Sequence, residues 1–303
     1  MIILFYLLMC FIFGTTFLAI KIGVDAGIPP FFGAGLRFFS AGFLLFLFMR
    51  WKDKVSLKIL FRKELFFTGV GLTFGTFATL YWAEQYVSSG VAAVLSATGP
   101  MMILIISSLL LKQKTSYTSM IGCMIGLAGV VVLILPSISL NVHFLWIMGC
   151  LAIVVGEVFY ASGTIYTKQV KEKIVASPLV LNAVQMMHGG FLLLLLSLIT
   201  EKVQPSSLIH TASIGSLLYL IIIGSMVGHS LYYWLVTKTD PVFPSTWLYI
   251  SPLIAVGLGV TFYQEEMTWY TGIGAATILL GTILVNYPAL QSLLWKKTLS
   301  QKG

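Results

Sequence analysis

Four ionisable side chains stand inside long apolar runs of this 303-residue sequence: Arg37, Glu157, His188 and His229. Carrying such a group to the middle of a bilayer costs about 3 kcal/mol on insertion scales, so each is a candidate for binding, proton transfer or ion pairing. Glu157 is followed by Thr164 and Lys168, seven and eleven residues later, with Tyr160 and Ala161 flanking them. At about 100° per residue, both fall within about 20° of Glu157 on a helix. A carboxylate on such a stripe can bind a proton or a substrate amine. It can equally be a static partner for Arg37 or a hydrogen-bonding group between helices. Arg37 is expected to pair with Glu157 or to snorkel to the interface, ahead of holding a substrate carboxylate directly.

Two polar stripes accompany the histidines. Asn182, Gln185 and His188 are spaced by three residues, and Ser225, His229 and Tyr232 share a face in the same way. Such stripes should face protein or water. Gln185, His188 and His229 are candidates to line a cavity, whereas Asn182 is expected to bond neighbouring helices. A third metal ligand at useful spacing is missing, so hydrogen bonding is expected and metal binding is not. Trp247 and Tyr249 lie deep in a run, just before Pro252, and are cavity candidates. Trp82 and Trp234 fall near run ends, where indoles anchor at the interface. Pro100 and Pro252 remove backbone donors and are expected to be paired hinges. Gly71-x-x-x-Gly75 and Gly122-x-x-x-Gly126 read as close-packing faces.

The elements that must position these groups follow from composition. Hydrophobic residues make up 58% of the chain and charged residues 9%, against about 25% charged in soluble domains. Mean hydropathy is +0.97. A soluble enzyme and a disordered chain are both excluded. Cys10, Cys123 and Cys150 sit in apolar runs without metal-ligand spacing and read as packing residues. There is no Walker motif, which predicts no ATP hydrolysis in this chain and no need for an ATPase partner. No Ser-His-Asp set or metal cluster suggests an enzyme, and no cofactor is expected. Sparse internal cations argue against a sugar-phosphate or nucleotide substrate.

A helix needs about 20 apolar residues to cross hydrocarbon. Ten runs qualify, at 2–20, 31–49, 65–83, 90–111, 118–135, 144–167, 178–199, 212–236, 244–263 and 270–287. The first lacks a basic leader and a small-residue cleavage site and is expected to be a span, not a signal peptide. With the N-terminus in the cytoplasm, 15 of the 18 Lys and Arg fall in inside loops and the tail, Lys21 and Lys202 fall outside, and Arg37 is left in a span. That bias predicts N-in, C-in and an even count. It also explains the net charge of +8 by an anionic leaflet, with no nucleic acid involved.

The chain contains itself twice. Shifted by 152 residues, Tyr81-Trp82 falls on Tyr233-Trp234, Pro100 on Pro252, Ile121-Gly122 on Ile273-Gly274, Leu127 on Leu279 and Gly129 on Gly281. Earlier, Gly42-Phe43-Leu44-Leu45 matches Gly190-Phe191-Leu192-Leu193. Five spans per copy is an odd number, so the second copy enters the membrane from the opposite side. The expected fold is therefore an all-α integral membrane protein of ten helices in two inverted five-helix repeats, 1–140 and 141–303, the second ending in a short cytoplasmic tail. Inverted repeats are a transporter architecture with a midplane site and a route to alternating access.

This organisation resembles the EamA-type branch of the drug/metabolite transporter superfamily. The resemblance is carried by Phe13-Gly14, Leu36-Arg37-Phe38 and Ser96-Ala97-Thr98-Gly99-Pro100. Further support comes from Tyr263-Gln264-Glu265-Glu266 followed by Gly274 and Gly281, with Glu265 nine residues before the first glycine. The sequence departs from the pattern at Gln113, where the first repeat often carries Glu, and at Phe13, where Trp is usual. The resemblance implies a secondary transporter of a bacterial plasma membrane that exports amino acids or related metabolites. It also implies a central cavity flanked by the span that carries Trp247 and Tyr249. Proton coupling through Glu157 is an expectation from its burial. The alternatives are an uncoupled facilitator, an exporter of larger amphiphiles or drugs and, less favoured, a membrane enzyme or a lipid scramblase. Substrate, bilayer and protons are the expected partners.

Overall fold

The computed structural model describes residues 1–53, 55–87, 89–112, 116–135, 143–204, 210–254 and 269–300. Among them the chain is helical, with no strand. The helices are α1 (Ile2–Asp25), α2 (Pro30–Asp53), α3 (Lys63–Ala83), α4 (Val91–Leu110), α5 (Tyr117–Ile134), α6 (Phe144–Lys173), α7 (Pro178–Thr200), α8 (Thr211–Lys238), α9 (Val242–Ile254) and α10 (Trp269–Ser300). By length and composition seven of these can cross a membrane, and Tyr117–Leu133, Val242–Ile254 and Gly272–Tyr287 are shorter apolar helices. Glu265 and Gln113, two residues of the expected family pattern, lie outside the described residues.

Local chemistry sets the helix ends. α1 stops where Gly27 adopts φ 87° and the Ile28 N–H reaches back to the Gly23 carbonyl, at 3.1 Å. This is a left-handed C-terminal cap that a Cβ would strain. α2 starts with Pro30, and its first free amides, Phe31 and Phe32, each donate at 2.8 Å to one oxygen of Glu201, which follows α7. A carboxylate there satisfies orphan donors and meets the positive end of the helix dipole. Asp240 does the same before α9, accepting from Val242 and Phe243 at 2.9 Å.

Glycines set the packing. α2 runs antiparallel to α7, and α5 antiparallel to α10. A methyl group on Gly122 would lie 2.9 Å from the Gly281 carbonyl oxygen, and one on Gly129 would lie 3.0 Å from that of Gly274. Because 122 and 274, and 129 and 281, are equivalent under the 152-residue shift, exchanging the halves maps this contact onto itself. The α2–α7 contact behaves likewise: a methyl on Gly42 would meet the Met187 nitrogen at 2.8 Å, and one on Gly190 the Phe39 nitrogen at 2.4 Å. α3 packs on α6 as α8 packs on α1. Wider turns with i→i+5 character also recur in equivalent places, Val70–Gly75 of α3 and Leu220–His229 of α8.

The expected hinges can now be placed. α4 is built from two pieces, Ser89–Ser96 and Gly99–Leu111. Pro100 stands in the first turn of the second piece, where a missing N–H does no harm. The break itself is at Ala97 and Thr98. In α9 the interruption is at Thr246, and Pro252 lies further along, in 247–254.

Candidate functional site

A cavity sits where the two halves of the chain meet. α1, α2, α3 and α4 supply one side of its lining, and α6, α8 and α9 the other. Its wall is largely aromatic. Phe13 packs on Trp247, with ring centroids 4.6 Å apart, and on His229 at 5.0 Å. Phe38 and Phe77 approach the same imidazole at 5.2 and 5.5 Å. Tyr160 and Tyr232 are 5.7 Å apart, and the Trp247 indole N–H donates to the Tyr160 hydroxyl at 3.3 Å.

Glu157 lines this cavity from α6 and is 5% exposed. Its partner is the hydroxyl of Ser96, the last residue of the first piece of α4. Its Oε2 has no hydrogen-bond partner among the described residues. A methyl group added to Gly99 would lie 2.5 Å from that oxygen. The carboxylate therefore rests against the start of the helix Gly99–Leu111, where amides lack intrahelical acceptors and the dipole is positive. The interruption of α4 thus supplies both a hydroxyl and a helix N-terminus to a buried acid. Gly99→Ala should displace the carboxylate from Ser96 and from the helix start, and so lower uphill accumulation of substrate several-fold. Accumulation in proteoliposomes measures this, and unchanged accumulation would contradict the geometry.

Arg37 neither pairs with Glu157 nor snorkels. It is 1% exposed and makes no ion pair among the described residues. Its Nε donates to Ser225 at 2.8 Å and its Nη1 to the Tyr81 hydroxyl at 3.2 Å, and its guanidinium carbon lies 5.2 Å from the Phe77 ring centre. A methyl on Gly224 would come within 3.2 Å of Nη2. Neutral hydroxyls and π-faces hold the head in place without an ion pair among the described residues, which suits an anionic group on a ligand.

The other expected site residues divide. Tyr160, His229 and Trp247 line the cavity with Glu157 and Arg37. Thr164 lies beside it, bonded to the Tyr232 hydroxyl at 2.8 Å. Gln185 does not line it: it accepts from Thr73 at 2.8 Å and donates to Asn182 at 2.9 Å, tying α7 to α3. The His188 Nε2 bonds the Leu60 carbonyl at 2.9 Å, and the ring faces Phe66. Tyr249 packs on Gly126 and bonds the Cys123 carbonyl at 3.4 Å. These three are used by helix packing, because a stripe that must avoid lipid finds a neighbouring helix as readily as a cavity. Among the described residues no group of three His, Cys, Asp or Glu could hold a metal.

Sequence reasoning gave no place in the cavity to Phe13, Thr16, Phe17, Phe38, Phe77 or Thr76, all at the cavity or its rings. Phenylalanine occurs 21 times in this chain, so its type carried no signal. Ser96 and Gly99 were visible only as parts of a motif.

The sequence profile of the EamA-like transporter family matches residues 1–135 and 147–287. The "Uncharacterized inner membrane transporter YedA" of Escherichia coli (strain K12) is 30% identical over 283 residues, covering 91% of this chain and 87% of that one. "Protein PagO" of Salmonella typhimurium is 28% identical, covering 92% and 90% of the two chains. "Protein PecM" of Dickeya dadantii is 28% identical, covering 91% and 89%. A solved crystal structure superposes with a TM-score of 0.76 at 19% identity, over 94% of this chain and 97% of the other; it bears on the fold alone.

Proposed function

The chain belongs to the EamA-like transporter family, and from that premise we propose that it is a secondary transporter exporting small amphoteric metabolites, amino acids or their relatives, by alternating access. As a membrane transporter with relatives in the bacterial inner membrane, it is a multi-pass protein of the plasma membrane. The observation that carries the substrate class is one cavity lined by one buried carboxylate and one guanidinium without an ion pair among the described residues, on an aromatic wall. An amino acid fits that pattern: its carboxylate to Arg37, its ammonium to the ring faces beside Glu157, its side chain to the aromatic surface.

The self-mapping contacts of α2 with α7 and α5 with α10 support two inverted five-helix repeats, hence ten spans. The lysine and arginine bias supports N-in, C-in. In that arrangement each half can take the other's conformation, and the cavity opens to either face. Glu157 is the proposed proton carrier. A function in transport accounts for the cavity without invoking an enzyme.

Counterflow in proteoliposomes tests the reading. Vesicles are preloaded with an amino-acid mixture, isotope-labelled mixture is added outside, and entry is measured against empty liposomes. Selective entry of one or a few species is expected. No entry across the set would remove the amino-acid assignment and favour larger amphiphiles.

A further inference from the structure

Glu84 lies one residue beyond Ala83, the last residue of α3, and is fully buried. Neither of its carboxylate oxygens has a hydrogen-bond partner among the described residues. Lys21 stands beside it, yet the ammonium donates to the Glu84 backbone carbonyl, at 3.3 Å, and to the Asp25 carboxylate, at 2.8 Å. A lysine on the last turn of α1 thus caps the carbonyl end of α3, as cations do at helix C-termini. The second half repeats the device: Lys168, near the end of α6, donates to the Thr239 carbonyl just past α8. α1 runs parallel to α3, because their C-terminal ends meet at this bond. α3 runs antiparallel to α6, because Gly71 meets Gly163 while Gly149 meets Ala83 and Val87. The two lysine contacts therefore sit at opposite ends of the bundle, each joining the first helix of a half to its third.

The two ends differ in one respect. Under the 152-residue shift Glu84 corresponds to Val236; the acid beside the other contact, Asp240, is held by the amides of Val242 and Phe243, so among the described residues only the Lys21 end has a buried acid without a partner. A smaller cavity, lined by Ile20, Ile28, Tyr81 and Ser216 among others, lies at that end, and Ile20 lines the central cavity too. Glu84 is three residues from Tyr81, which lines the smaller cavity.

We propose that Glu84 is a proton-binding residue whose neutral form latches the Lys21 end of the transporter closed. The charged and titratable groups around it are Lys21 and Asp25 of α1, Arg37 of α2, Tyr81 of α3 and His143, which precedes α6 at the same end. Two cations at the site oppose a metal ion, and a proton meets no such barrier. Burial pushes the carboxyl up to about 8, while Lys21 and Arg37 pull it down and Asp25 pushes it further up. Below that value the closed end keeps the proton. Above it, the ionised group needs water or the Lys21 ammonium, and either breaks the Lys21 contact with the carbonyl. Raising pH therefore opens this end and leaves the Lys168 end without an equivalent response. The proposal rests on the reading that the two ends open in turn. Counterflow at fixed pH tests that reading by itself, whereas the following experiment reports this end alone.

With Cys10, Cys123 and Cys150 changed to Ser, Ile28→Cys places one buried thiol in the smaller cavity. Labelling of the purified protein by a polar maleimide is followed from pH 6.5 to 9.5 and normalised to a free thiol. The normalised rate should rise several-fold, centred near pH 8, and Glu84→Gln should hold it at the slow, low-pH value. Lys21→Gln, which removes the competing ammonium while keeping Glu84, should move the midpoint to higher pH. A flat profile with Glu84 present, a full response in Glu84→Gln, or an unmoved midpoint in Lys21→Gln would overturn the proposal.

Discussion

Glu157→Gln should abolish accumulation of substrate against a gradient while leaving counterflow within a few-fold of the unaltered protein. Glutamine keeps the size of the side chain and can still accept from Ser96, but it cannot carry a proton. Exchange between equal pools needs only the conformational cycle, whereas uphill movement needs the coupled ion. The same pair of measurements separates the two roles open to this acid. If Glu157 instead grips the substrate ammonium, counterflow falls as well, by about 10- to 100-fold, the worth of a hydrogen bond to a charged group. Uphill transport that survives in Glu157→Gln would eliminate the proton-carrier assignment. The position of the group makes the first outcome the expected one. Its Oε2 faces Gly99 without a partner among the described residues, so a proton can be taken up there without breaking a bond.

The largest effect on stability should come from the α5–α10 crossing. A methyl group at Gly281 would stand 2.3 Å from the Gly126 nitrogen and 2.5 Å from its Cα. Those are backbone atoms, so no rotamer change relieves the overlap. Overpacking of this kind costs about 1–3 kcal/mol, which for a chain of this length lowers Tm by roughly 3–10 °C. Gly281→Ala should show that drop in a thermal scan of the purified protein. Gly272→Ala, on the same helix with open space around its Cα, should be neutral. Equal behaviour of the two would contradict the tight crossing. Gly129→Ala, the equivalent substitution in the other half, should resemble Gly281→Ala.

The features legible in the sequence are those with no inexpensive alternative in lipid. A carboxylate at 157 and a guanidinium at 37 cannot face hydrocarbon, so both point inward, and both line the cavity. The Gly, Pro and Trp matches at one shift stand out in an apolar chain, and the glycines among them lie where α5 and α10 approach closely. Arg37 was harder to read. Its charge suggested Glu157, yet it is held by Ser225 and Tyr81, two hydroxyls from distant turns whose approach depends on how α3 and α8 cross α2. Gln185 and His188 share a face for a reason the sequence states correctly, avoidance of lipid, without saying which protein surface they meet. Glu84 was missed because an acid at the end of an apolar run looks like an ordinary loop charge. Only the fold shows that it is fully buried. The breaks at Ala97–Thr98 and at Thr246 were likewise displaced from the prolines that advertised them.

The glycine crossings carry a consequence of another kind. Since Gly122 meets Gly281 as Gly274 meets Gly129, and Gly42 meets Met187 as Phe39 meets Gly190, each half presents a surface complementary to its own copy. On the inverted-repeat reading proposed above, a free half could pair with a twin and build the same scaffold, with its two faces forced to be identical. Fusion into one chain lifts that constraint. The matching positions 84 and 236 hold glutamate and valine, a difference that identical twins could not encode, and it is through such differences that a symmetric machine acquires a direction.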